Sequence, residues 1–121
     1  MVEKTTLSRK IDVRLRSMRD HLDALPDYWK RFCVAADRAS NVEFHAFEAE
    51  WRDTRDRFEW LHEQFEHGQL SPDQAVKHQQ NLALLKKQMP VLIELGLAMP
   101  TGGLATYLAT SEVASALSEI V

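Results

Sequence analysis

The chain contains a single cysteine, Cys33, among its 121 residues. An internal disulfide is therefore excluded, an intracellular setting fits better than a secreted one, and the thiol is expected as a buried structural group. The opening MVEKTTLSRK is charged and has no apolar stretch, so no secretory leader is expected and cytoplasmic residence is the default. Strand-like alternation, internal repeats and low-complexity tracts are all missing, which leaves the all-α class. There is no G-x-S-x-G, no glycine-rich phosphate loop and no cysteine with an activating local partner. The sequence accordingly assigns no catalytic residue and no cofactor.

Positive charge is absent from the last quarter: no Lys or Arg follows Lys87. Residues 1–89 hold all 15 basic residues and 15 of the 18 acids, whereas 90–121 carry only Glu94, Glu112 and Glu119. With a net charge of −3, broad attraction to nucleic acid or to an anionic membrane is not expected. By length the chain is one domain, residues 1–121, able to remove roughly two-thirds of its unfolded surface from water.

What is present is helical periodicity. Leu7, Ile11, Leu15, Met18, Leu22 and Leu25 form one stripe, and Pro26 is expected to end that helix near Leu25. Asp27 then caps a short second helix whose Trp29, Phe32, Cys33 and Ala36 share a face. Ser40 with Glu43 has the form of a capping box opening one long central helix, about 42–67, with Phe44, Phe47, Trp51, Phe58, Leu61 and Phe65 on its seam and Thr54 as the weak step. Gly68 supplies a left-handed stop; Ser71, Pro72 and Gln74 restart a helix that continues through Leu82, Leu85 and Met89. Around Pro90 that apolar helix is expected to kink or split. Gly96 ends it, MPTGG is a loop, and Leu104 to Ile120 form a last helix. The fold expected is a bundle of four to five helices.

Glu59 and His62 stand at E-x-x-H spacing, the arrangement by which ferritin-like bundles hold a metal. The seam of their helix favours a solvated charged face instead, so no metal site is assigned and the pair stays a candidate only. WRDTRDRFEW mixes Arg with aromatics, but Asp53, Asp56 and Glu59 neutralise the same stretch, which argues for self-paired surface charge rather than nucleic-acid contact. The aromatics Trp29, Phe32, Phe47, Trp51 and Trp60 are sufficient to line a ligand pocket as well as to fill a core. Trp60 lies off its seam and is expected at an interface or pocket mouth.

The apolar stretch MPVLIELGLAMPTGG raises the question of its cover. On a helical wheel its large side chains spread over about 240 degrees, wider than a surface helix shows. Glu94, Pro100 and the glycine pair argue against a membrane span. The sequence therefore predicts cover within the bundle or by a second copy of the chain, with Val91, Leu92, Ile93, Leu95, Leu97, Leu104, Leu108 and Leu117 as interface candidates. The functional expectation is a non-enzymatic, homo-oligomeric binding protein that meets a protein partner through this segment or the Trp60 side of the long helix. A small apolar ligand in an aromatic pocket is the alternative, and a metal-carboxylate enzyme the second alternative.

Overall fold

The three long helices each start at a polar side chain that accepts an otherwise orphaned backbone N–H. The Thr5 hydroxyl accepts from Ser8 N, and the Asn41 side chain accepts from Phe44 N. Ser71 accepts from Gln74 N while the Gln74 side chain takes Ser71 N, a complete capping box. The computed structural model describes residues 5–110. These form α1 (Thr6–Phe32), α2 (Ala35–Arg38), α3 (Val42–Glu66), α4 (Pro72–Leu95) and α5 (Gly102–Thr110), with no strand among the described residues. The described residues form an all-α bundle of five helices. α1 packs most extensively on α4 and next on α3, and α5 lies against α3.

The long seams read from the sequence are buried along most of their length, with Leu7, Phe65 and Met89 half-buried, whereas of the face shared by Trp29, Phe32, Cys33 and Ala36 only Phe32 is buried. Ile11, Leu15, Met18, Leu22 and Leu25 of α1 meet Phe44, Phe47, Trp51, Phe58 and Leu61 of α3 and Leu82, Leu85, Leu92 and Leu95 of α4 in one core. Thr54, the weak step, is buried as well, and its hydroxyl donates to the Glu50 carbonyl at 2.9 Å. The α4 helix stops where Gly96 adopts φ 69°, a left-handed cap that a residue with a Cβ enters only with strain.

Four local expectations need correction. α1 does not stop at Leu25; it runs through Pro26 to Phe32, and no separate helix starts at Asp27. A proline in a helix interior costs about 3 kcal/mol or more. Here the continued helix places Tyr28 against Phe47, ring centroids 3.7 Å apart, and Phe32 against Phe44 at 5.3 Å. Burying the Phe32 ring contributes about 1.5–3 kcal/mol, and the half-buried Tyr28 adds a smaller share, together enough to offset the break. Asn41 rather than Ser40 caps α3. Cys33 closes α1 on the surface and is exposed, not buried. Finally, α3 is not the one long helix, since α1, α3 and α4 have 27, 25 and 24 residues. Pro26 itself is exposed, so Pro26→Ala is expected to raise stability by about 2 kcal/mol, restoring an N–H to the ladder at a small entropic cost in the unfolded chain. Urea denaturation checks this, and an unchanged midpoint would contradict it.

Pro90 likewise does not divide α4, which is continuous to Leu95. The apolar stretch beyond it is covered largely from within. Leu92, Leu95, Leu97, Leu104 and Leu108 are all buried in the single chain, and Val91 is half-buried. Ile93 alone of the described interface candidates is freely exposed, at 65%; Leu117 lies outside the described residues. The cover comes from the chain turning back after Gly96, so that α5 seats Leu104 and Leu108 in the same core while Lys86 Nζ of α4 donates to the Leu108 carbonyl at 2.8 Å. No described helix is long and apolar enough to cross a membrane.

Candidate functional site

The turn back to α5 is fixed by α3. Three residues one turn apart on that helix hold successive points of the connector: Trp51 Nε1 donates to the Ala98 carbonyl at 2.8 Å, Arg55 Nη1 donates to the Met99 carbonyl at 3.1 Å, and Glu59 Oε2 accepts from both the backbone N–H and the hydroxyl of Thr101 at 2.6 Å. Spacing of i, i+4, i+8 puts all three on one line of the helix. Beyond this strap, α5 begins at Gly102 with φ 57°. A Cβ on the next residue, Gly103, would lie 3.3 Å from Glu66 Oε1. The glycine pair lets the start of α5 approach the acidic side of α3.

Between them lies a cleft of about 670 Å³, lined by Asp56, Glu59, Trp60, His62, Glu63, Glu66 and His67 of α3 and its cap, and by residues 101–104. Asp56, Glu59, Glu63 and Glu66 follow one another at steps of three, four and three, so the carboxylates form a ridge along α3 about 15 Å long. No Lys or Arg belongs to the lining. Asp56 is paired sideways with Arg55 at 2.9 Å and Glu59 is committed to Thr101, whereas Glu63 and Glu66 face no Lys or Arg partner among the described residues. Trp60 is half-buried, and Lys10 Nζ and the Arg14 guanidinium of α1 lie over its ring at 4.9 and 4.5 Å.

At the base of the cleft is a buried histidine pair. His62 Nδ1 lies 3.1 Å from His78 Nε2 of α4, and both rings are almost wholly inaccessible. Phe65 and Tyr107 pack around His62, and Phe58 and Phe65 around His78. Burial first, and then the neighbouring His62, pushes the His78 pKa down to about 3; burial also lowers that of His62, against a weaker opposing pull from Glu66. Both rings are therefore neutral at pH 7. Of the two tautomer arrangements, one has His62 donating to His78, which would set the lone pair of His62 Nε2 against the Glu66 carboxylate, two acceptors 3.2 Å apart. The other has His78 Nε2 donating to His62 Nδ1, leaving an N–H on His62 Nε2 toward Glu66 and the cleft; this arrangement is the favoured one. The Glu66 oxygen is within ion-pair distance yet out of line, so His62 Nε2 makes no hydrogen bond, and neither does His78 Nδ1 in its apolar surroundings.

No family model, curated protein or solved structure matches the chain. The site is read from its geometry alone.

That geometry separates several residues the sequence grouped together. Trp29, Phe32, Phe47, Trp51 and Trp60 line no common cavity among the clefts found. Trp29 is on the surface with Nε1 donating to Glu94, Phe32, Phe47 and Trp51 belong to the core, and only Trp60 lines the acidic cleft. Phe47 borders a separate shallow hollow of about 200 Å³ beside Tyr28. Glu59 and His62 do share the acidic cleft, but one is bound to Thr101 and the other turned to His78. Among the described residues no group of three His, Cys, Asp or Glu is placed to hold a metal ion. The His62–His78 contact was not readable from spacing, because 16 residues and a helix turn separate its members. The carboxylate ridge was: its 3-4-3 steps stand in the sequence.

Proposed function

We propose that the protein is a non-enzymatic helical binding module that takes a Lys- or Arg-rich segment of a partner protein into the cleft between α3 and α5. The observation that carries this reading is the lining itself, four carboxylates and an indole with no cation of the chain's own among them. Such a wall attracts positive charge, and low-dielectric surroundings focus that attraction. The ridge is about 15 Å long, the span of several residues of a bound segment rather than of a single ion. Lys10 and Arg14 over Trp60 are the chain's own instance of cations attracted to that ring. A polar lining suits an apolar ligand poorly. The partner is thus met on the Trp60 side of α3, not through the apolar segment, whose described residues are mostly buried. Self-association, expected because that segment needed a cover, loses this motive for Leu92, Leu95, Leu97, Leu104 and Leu108.

Fluorescence anisotropy with a labelled Lys/Arg-rich peptide at low ionic strength tests the proposal. Binding is expected to weaken steeply with salt and to fall by about tenfold or more in the E63Q/E66Q double variant, whose exposed side chains carry no part of the core. Unchanged affinity in that variant, or no binding by the parent protein, would reject it.

A further inference from the structure

A second cleft, of opposite character, lies between α1 and α4. It measures about 320 Å³, within the range of small-ligand sites, and is lined by Asp12, Leu15, Arg16, Arg19, Lys77, Gln80 and Asn81. Its floor is preorganised. The Asn81 amide donates to the Leu15 carbonyl at 3.1 Å, and Asp12 Oδ1 accepts from Gln74 Nε2 at 2.9 Å. Three cations thus converge from two helices around a single carboxylate that already has a partner. Asp23 takes Arg19 through Nε alone, at 3.1 Å to both oxygens, leaving the terminal guanidinium nitrogens of Arg19 uncommitted. Arg16 and Lys77 form no ion pair or side-chain hydrogen bond among the described residues. Elsewhere among the described residues Arg31 is paired with Glu43 and Arg55 with Asp56; what sets this cleft apart is that its cations come from two helices.

We infer that this cleft binds a small organic phosphate monoester. Guanidinium forks from α1 and an ammonium point charge from α4 line the same cleft, a combination suited to a dianionic oxyanion. A phosphate ester carries about −1.5 to −2 charges near neutral pH and engages both free cations; a carboxylate, with one charge, leaves one of them unmatched. The volume exceeds that of a bare phosphate and leaves room for the esterified group. This site shares no residue with the α3–α5 cleft and stands or falls independently of it.

Isothermal titration calorimetry at low ionic strength decides the matter, with phenyl phosphate, inorganic phosphate and benzoate as probes. Phenyl phosphate is expected to bind about tenfold more tightly than benzoate, and more tightly than inorganic phosphate. R16Q/K77Q is expected to weaken it by about tenfold or more while leaving the thermal midpoint unchanged, since both side chains are exposed. D12N retains the oxygen that accepts from Gln74 and removes a like charge from the wall, so it should bind phenyl phosphate more tightly. Equal affinities for phenyl phosphate and benzoate, parity between phenyl and inorganic phosphate, or a folded R16Q/K77Q variant with undiminished binding would each overturn the assignment.

Discussion

Lowering the pH from about 7.5 to about 5 is expected to remove about 2 kcal/mol of folding stability through His78 alone. In the unfolded chain this imidazole titrates near 6.5, and in the folded protein near 3. Between those values the unfolded state holds a proton that the folded state refuses. Stability is therefore complete above the unfolded value and declines as the pH falls toward the folded one. His62 is displaced in the same direction by burial and adds to the slope. Urea denaturation at the two pH values measures the loss, and stopping at about pH 5 keeps the carboxylates, with reference pKa values of about 4, from dominating. Replacing both rings in H62L/H78L removes the pair without stranding one partner, so that variant should keep its fold and lose most of the slope. A parent protein equally stable at both pH values, or a double variant with an undiminished slope, would show that the pair does not titrate as its burial implies.

Trp51→Ala is expected to cost about 4 kcal/mol, the scale of large-to-small changes at fully buried aromatics. That is a large share of the roughly 5–15 kcal/mol that holds an ordinary domain together. Trp51 is 1% exposed at the centre of α3, and its indole N–H is also the first tether of the connector. The two contributions separate in Trp51→Phe, which keeps an aromatic ring but leaves the Ala98 carbonyl without its donor, at a cost of about 1–2 kcal/mol. In that milder variant the amides of 97–104 should exchange with solvent faster while those of α1 stay protected. Uniform acceleration across the bundle would mean that the connector is not held separately. A loss below about 2 kcal/mol in the alanine variant would mean that the surrounding core collapses into the space.

The fold was legible where it depends on local chemistry. The stripe from Ile11 to Leu25, the α3 seam, the Ser71–Gln74 box and the Gly96 stop follow from side chains within a few residues of one another. Pro26 misled because its penalty is local while the compensation is not: Phe44 and Phe47, which receive Phe32 and Tyr28, belong to another helix. The wheel of the apolar stretch was too wide because it asked for cover on every large side chain, whereas Ile93 stays in water and Leu92 and Leu95 reach the core. Within the acidic cleft, the carboxylate steps and the off-seam position of Trp60 were visible. The His62–His78 contact and the anchoring of Glu59 by Thr101 depend on α4 and the connector arriving at α3, and no spacing along α3 announces them.

The strap from α3 to residues 98–101 grips main chain rather than side chain at its first two points: Trp51 and Arg55 address carbonyls, and Glu59 takes a backbone N–H along with the Thr101 hydroxyl. The attachment is consequently indifferent to what residues 98 and 99 are and exacting about residues 51, 55 and 59. One side of the join is free to drift, and the other is not. A chain that keeps its tryptophan, arginine and glutamate at those three steps can vary residues 98 and 99 without losing the bonds that hold the opening beside α5.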